Sequence, residues 1–139
     1  MDKTIVVKFD DQFAPEITKI RNDVFTVEQH IDENLNLYSQ DQNAVHVLVI
    51  QNEKYVGTGR MLKDGHLGRL AVLRKLRGRG LGVKVVLALV GETKNIGLKR
   101  IYLDSQKHAV GFYQKLGFTV YGEPYTEANI EHIHMERFI

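Results

Sequence analysis

Between Val72 and Gly82 the chain alternates glycine with arginine: Arg77, Gly78, Arg79, Gly80, Leu81, Gly82. Arg74 and Lys75 stand just before, so four basic residues fall within six positions. Glycines 78, 80 and 82 let the backbone approach an anion where a Cβ would obstruct it, and Arg77 and Arg79 can add charge-assisted bonds. A strand-like run ends before the loop and a helical pattern begins at it. The orphan N–H groups and dipole of a helix start favour an anion there by about 0.3–1 kcal/mol, up to about 2 when partly buried. The plain alternative is a solvated basic turn. The spacing Gly78-x-Gly80-x-Gly82 is not the G-x-G-x-x-G of dinucleotide folds, and no Gly-Lys-Ser/Thr follows, so neither a dinucleotide site nor a Walker A loop fits.

Histidine is the other chemistry-bearing type. His132 and His134 lie two apart on a strand pattern, so they share a face, and imidazoles titrate near neutral pH, which suits proton transfer. His46 could join them around a metal, but the carboxylate partners and spacing of a zinc motif are missing. No metal is expected, and ordinary sheet histidines are the competing reading.

The elements that must position these groups follow from hydrophobic period. Thr4–Phe9 is β-branched and aromatic, a strand. Ile17, Ile20, Val24 and Val27 recur at helical steps after Pro15, which predicts a helix over Ala14–Val27. Glu28–Asn43 is polar and reads as an irregular loop or short helix. His46–Ile50 reads as a strand buried on both faces; Asn52–Lys54 turns it into Tyr55–Leu62, and Asp64-Gly65 turns that into His66–Val72. A helix over Gly80–Asn95 ends at Gly97. Then come a strand at Arg100–Asp104, a short helix at Ala109–Leu116 and a strand at Phe118–Tyr121. A turn at Gly122-Glu123-Pro124 leads to a last strand, Ile130–Phe138. This is mixed α/β, with a crossover helix that makes the fourth and fifth strands parallel neighbours. The glycine loop falls at the end of the fourth strand, where anion sites of such sheets lie.

At 139 residues with 43% hydrophobic and 26% charged side chains, the chain fits a single soluble domain over 1–139. It has no cysteine, which excludes disulfides, thiolate metal sites and a cysteine nucleophile. A formal net charge of +2 is not a nucleic-acid footprint. No apolar run reaches the roughly 18 residues of a membrane span, and the first residues lack a signal-peptide pattern. The expectation is a cytoplasmic protein with neither a nucleic-acid nor a membrane partner.

Taken together, the motifs resemble a known family. Arg77-x-x-Gly80-x-Gly82 is similar to the R/Q-x-x-G-x-G/A motif of the GCN-five-related N-acetyltransferases (GNAT). Leu70-Ala71-Val72 resembles the end of that family's fourth strand. Ala109-Val110-Gly111-Phe112-Tyr113-Gln114-Lys115-Leu116-Gly117-Phe118 resembles its A-x-x-F-Y-x-x-x-G-F signature. Arg21-x-x-Val24-Phe25-x-x-Glu28-Gln29, and Gln106 in place of the commoner Asn, resemble the ElaA/YjcF-like subgroup of small bacterial acetyltransferases. The resemblance implies a mixed, mostly antiparallel seven-stranded sheet with strands four and five parallel and splayed, and three to four helices. It implies acetyl-CoA as co-substrate. Its pyrophosphate would lie on amides of Arg77, Gly78, Arg79, Gly80, Leu81 and Gly82, its pantetheine arm between the splayed strands beside Leu70, Ala71 and Val72, with Gln106 nearby.

The implied reaction is acetyl transfer to a primary amine of a small molecule or peptide, by direct attack in a ternary complex. An amine of pKa about 10.4 is neutral only about once in 2,500 at neutral pH, a handicap of roughly 4.6 kcal/mol that a base should relieve. The resemblance gives Tyr113 as the acid facing the cofactor sulfur and Glu28 as a base or acceptor-binding carboxylate; a histidine or water could replace Glu28. A backbone amide around Leu70–Val72, left unpaired by a bulge, would polarise the thioester. An acyl-CoA-binding sensor and an acyl-homoserine-lactone-synthase-like acyltransferase are the competing readings; short length and lack of tryptophan weigh against the latter. Pairing or exchange of the Glu131–Phe138 strand between two copies would give a homodimer.

Overall fold

The computed structural model describes residues 2–29 and 38–139. Four strands come first along the fold: β1 (Lys3–Val7), β2 (Val45–Gln51), β3 (Lys54–Met61) and β4 (Leu67–Val72), antiparallel in that order. Val47, Leu48 and Val49 of β2 are fully buried because both sheet faces are covered. Val47 and Val49 join the larger core, while Leu48 joins a smaller one with Ile17, Ile20 and Val24.

Those last residues come from α1 (Ala14–Arg21) and the turn after it. The helix entry is fixed by Pro15 and by Asp10, whose Oδ1 accepts from the amides of Gln12 and Phe13 at 3.1 and 3.0 Å. The single helix expected to reach Val27 changes character after Arg21. Asn22–Glu28 is π-helical, and Gln29 N–H closes on Val24 O at 3.1 Å, an i to i−5 bond. At the junction the fully buried Arg21 guanidinium grips Asp41 with two bonds of 2.7 and 3.0 Å, and Arg60 adds a third at 3.0 Å. Asp41 lies on the 3-10 segment Tyr38–Asn43, which ties the end of the polar stretch to the core. The middle of that stretch lies outside the described residues.

On the other sheet face lies α2 (Leu81–Asn95), which buries Leu81, Val85, Val86, Leu89, Val90 and Thr93 at helical spacing. It packs so closely that a Cβ on Gly59 of β3 would meet Val85 Cγ1 at 2.5 Å. No described helix is long and apolar enough to cross a membrane.

The C-terminal part adds β5 (Arg100–Gln106), α3 (Val110–Gln114), β6 (Thr119–Glu127) and β7 (Ile130–Phe138), with strand order β5-β7-β6. One expectation needs correction. Gly122-Glu123-Pro124 does not turn the chain; it is absorbed as a register shift in β6 between Tyr121 and Tyr125. The turn is Ala128-Asn129, both at positive φ (53° and 63°), as a tight antiparallel hairpin demands. The seven expected strands are all present. They divide into a four-stranded and a three-stranded sheet. Among the described residues these are joined by one parallel bridge, His66 to Tyr102, and by Tyr102 N–H to Gly65 O at 3.0 Å. Beyond the bridge β4 and β5 share no ladder, so a gap opens between the sheets towards the C-terminal ends of both strands.

Candidate active site

The glycine–arginine loop sits at the end of β4. After Val72 a short 3-10 turn, Arg74–Leu76, delivers an extended Arg77, and Gly78 and Gly80 both take left-handed backbone, φ 78° and 79°. Such φ values are costly for any residue with a Cβ. A Cβ added at either position would meet nothing within 4 Å, so the loop presents bare backbone on an open side. Gly80 is the residue from which α2 starts, and Lys84 N–H to Gly80 O, 3.2 Å, is the first helical bond. The amides of Leu81, Gly82 and Val83 precede that bond and belong to the donor-rich helix end. Backbone donors, a helix dipole and the cation Arg79 meet here, a combination chemically suited to an anion.

Gly82 has a different job. A Cβ there would sit 3.4 Å from the Phe112 ring, at van der Waals distance, so α3 lies close against the start of α2. This brings Tyr113 beside the loop's helix: its ring stands edge-on to Phe112 at 5.0 Å and to Phe118 at 5.8 Å. Tyr113 is 9% exposed, and burial pushes its phenol up to about 12. It is a firmly protonated hydroxyl in a dry aromatic setting.

Arg77 faces elsewhere than sequence reasoning suggests. Its Nε donates to Val72 O at 3.0 Å, and its two terminal nitrogens grip both Glu28 oxygens at 2.5 and 2.7 Å. The π-helical turn is what carries Glu28 across to the end of β4. Arg77's hydrogen bonds hold the Glu28 carboxyl below its ordinary value, against the smaller opposing effect of desolvation. Glu28 is thereby brought to the loop, and the same contact weakens it as a proton acceptor.

Leu70, Ala71 and Val72 flank an irregularity in β4. Thr58 faces Ala71 and Arg60 faces Gly68, so Gly59 opposes both Arg69 and Leu70, and Arg69 has φ 51°. One residue of β4 is therefore surplus to the ladder, as in a bulge. Gln106 ends β5 opposite His132. The three histidines singled out in the sequence do not converge. His46 is fully buried and donates from Nε2 to Asp41 O at 3.0 Å, His132 Nδ1 donates to Ile130 O at 2.8 Å, and His134 lies against Asp104.

Asp41, His66 and Asp104 escaped the sequence reading. Asp104 gave one signal: on β5 it alternates with Ile101, Leu103 and Ser105, so it had to share a face with Tyr102 and Gln106. Its partners on β4 and β7 depend on strand order, which spacing does not encode.

The chain belongs to the GNAT family: the acetyltransferase (GNAT) domain matches residues 13–138. Among relatives, it is 37% identical over 130 residues to the uncharacterised protein YyaT of Bacillus subtilis, covering 89% of this chain and 88% of that one. It is 31% identical over 137 residues to the uncharacterised N-acetyltransferase YjcF of the same organism, covering 96% and 97%. The crystal structure of Escherichia coli ElaA superposes with a TM-score of 0.88 at 27% identity, over 99% of each chain. The protein is thus similar to small bacterial GNAT acetyltransferases over nearly its full length.

Proposed function

We propose that this protein transfers an acetyl group from acetyl-CoA to a primary amine of a small molecule or peptide, by direct attack within a ternary complex. The observation that carries the reading is the loop at Gly78 and Gly80. Two left-handed glycines strip side chains from one face of the backbone, just ahead of the first hydrogen bond of a helix, Lys84 N–H to Gly80 O, where amide donors gather. A pyrophosphate suits that face in charge and in reach. Bound there, acetyl-CoA supplies an activated acyl group whose carbon accepts the amine nitrogen as the thiol departs with a proton.

The chain's own residues do the rest. Amides of Gly78, Arg79, Gly80, Leu81 and Gly82 bind phosphate oxygens, and Arg79 adds charge. The bulge in β4 sets a backbone amide around Leu70, Ala71 and Val72 as the donor that would hold a carbonyl oxygen in the gap. Gln106, at the end of β5, lines the far wall of the gap. Tyr113 serves as hydrogen-bond donor to a developing thiolate. With its phenol at about 12 and a thiol near 8.5, full proton transfer is uphill by about 3.5 units, roughly 5 kcal/mol, so the hydroxyl donates a bond and keeps its proton until the amine's own proton is available. Glu28 anchors Arg77 and so sets the entry of the loop.

Calorimetry with acetyl-CoA and with S-acetyl-pantetheine, which lacks the pyrophosphate, tests the site. Acetyl-CoA should bind on the order of 100-fold more tightly, the worth of a few charge-assisted bonds. Equal affinities would remove the loop from cofactor binding.

A further inference from the structure

A polar cluster sits where the two sheets meet, on the side of β5 turned away from α2. Ile101 and Leu103 of β5 enter the core with α2, so Tyr102 and Asp104 face the other way. Asp104 is clasped from both sides. His134 Nδ1 lies 2.6 Å from Oδ1 and His66 Nε2 lies 3.1 Å from Oδ2. Tyr125, carried inward by the register shift in β6, also donates to this carboxylate. His66 stacks on Tyr102 at 4.6 Å, and His134 stacks between Tyr125 at 4.7 Å and Tyr121 at 5.4 Å. Asp104 and the two histidines keep 34 to 40% of their side-chain surface open, so the cluster is a site wall and not core.

Its place matters as much as its content. Among the described residues His66 and Tyr102 form the single bridge between the sheets, and Asp104 is the next residue of β5 on that face. The cluster therefore stands at the apex of the gap, across the sheet from α2 and α3. The far end of the same face is cationic: Arg100 lies over Tyr102 at 4.6 Å and pairs with Glu136 at 2.7 Å. Among the described residues no group of three or more side chains is suited to a metal ion. An anionic centre walled by aromatic faces suits an organic cation.

We propose that Asp104, with His66 and His134, forms the acceptor-amine site, binding the substrate as a primary ammonium and taking its proton on an imidazole. This rests on the acetyltransferase reading and names the residues that would serve its acceptor half. Each imidazole that donates to Asp104 through one nitrogen has its other nitrogen, Nε2 of His134 or Nδ1 of His66, as the proton acceptor. The proton moves from the ammonium nitrogen to that imidazole, which becomes an imidazolium paired with the Asp104 carboxylate. The amine is left with the lone pair that attack requires, and the imidazolium later returns its proton to water. Burial works against the charged form of Asp104, but the hydrogen bonds from His134 and Tyr125, with His66 beside it, outweigh burial and keep the carboxyl below its ordinary value. It is thus ionised whenever an ammonium could arrive.

The test is Asp104→Asn, which keeps shape and removes charge, beside His134→Gln. The imidazole resonances of His66 and His134 are followed by NMR while n-butylamine, or n-butanol as its neutral counterpart, is added. In the unaltered protein the amine should shift both resonances and the alcohol should not; in Asp104→Asn neither should respond. Amine that leaves both imidazoles unmoved overturns the proposal, whatever the enzyme's activity. With the best amine substrate, Asp104→Asn and His134→Gln should each lower kcat/KM at least 30-fold while calorimetric acetyl-CoA affinity stays within twofold. Wild-type kcat/KM in both variants would also overturn it. Failure of acetyl-CoA to bind the unaltered protein would instead strike the acetyltransferase reading, leaving the amine titration to judge this site alone.

Discussion

Gly80 and Gly97 form a matched pair for separating strain from function. Gly80 starts α2 at φ 79° and Gly97 follows its end at φ 77°, and a Cβ on either would meet nothing within 4 Å. Alanine at either position must hold a left-handed backbone, at a cost of about 1–2 kcal/mol. For a domain of this size that lowers Tm by about 3–10 °C. The two variants should therefore melt alike. They should differ in acetyl-CoA binding, because the proposed pyrophosphate site lies at Gly80 and not at Gly97. Loss of one charge-assisted backbone bond costs about 1.5–3 kcal/mol, which is roughly 10- to 150-fold in Kd. Thermal melts give the first number and titration calorimetry the second. Gly80→Ala and Gly97→Ala with the same acetyl-CoA affinity would refute the assignment of the loop, because strain alone would then account for everything Gly80 does.

Tyr113→Phe should reduce kcat at least tenfold with acetyl-CoA affinity within twofold, since the ring packs against Phe112 and Phe118 and only the hydroxyl is lost; wild-type kcat would take Tyr113 out of the chemistry. Glu28→Gln should loosen acetyl-CoA binding through Arg77 yet leave the acidic limb of the pH–rate profile between about pH 5 and 8 unmoved, because the Arg77 contact keeps that carboxyl ionised throughout this range; a flattened limb would restore Glu28 as the base. Asp41→Asn should destabilise the fold by about 3–5 kcal/mol in denaturant titration, as it removes the carboxylate that Arg21 and Arg60 share in the interior. Asp41 also sets acid sensitivity. Burial opposes its ionisation, but Arg21 and Arg60 outweigh burial and lower its folded pKa. Its stabilising effect is therefore complete above its unfolded value of 3.8 and is lost as pH falls through the folded one. Acid unfolding of the unaltered protein should begin only below about pH 4 from this group. If Asp41→Asn showed the same acid-dependent loss, another carboxylate would be its source.

What the sequence disclosed was whatever local period and local chemistry dictate. The buried run at Val47–Val49, the helix with Val85, Val86 and Leu89 on one side, and the glycine-led start of that helix were all legible. The junction of strand and helix at the glycine loop was legible as well. Relations between distant elements were not legible. Arg77 reads as a phosphate ligand until the π-helical turn brings Glu28 to it, and nothing in the spacing of Asn22–Glu28 announces the wider helix. Arg21 belonged to a recognisable pattern, yet its partner Asp41 lies twenty residues on in a polar stretch without periodicity. The register shift at Gly122–Pro124 looked like a turn because Gly and Pro usually make one; here the strand continues past them and delivers Tyr125 to Asp104. Which histidine meets which carboxylate was set by the strand order β5-β7-β6 and by the bridge at His66.

The most direct measurement of the central claim is thiol release from acetyl-CoA across a panel of primary amines, with mass spectrometry of the products. The chain has no cysteine, so a thiol reagent reads only coenzyme A. Amine-dependent release, matched mole for mole by an N-acetylated product and lost in Gly80→Ala at subsaturating acetyl-CoA, is the expected result. Tight acetyl-CoA binding with no amine acetylated anywhere in the panel would contradict it and make the protein a sensor of the cofactor.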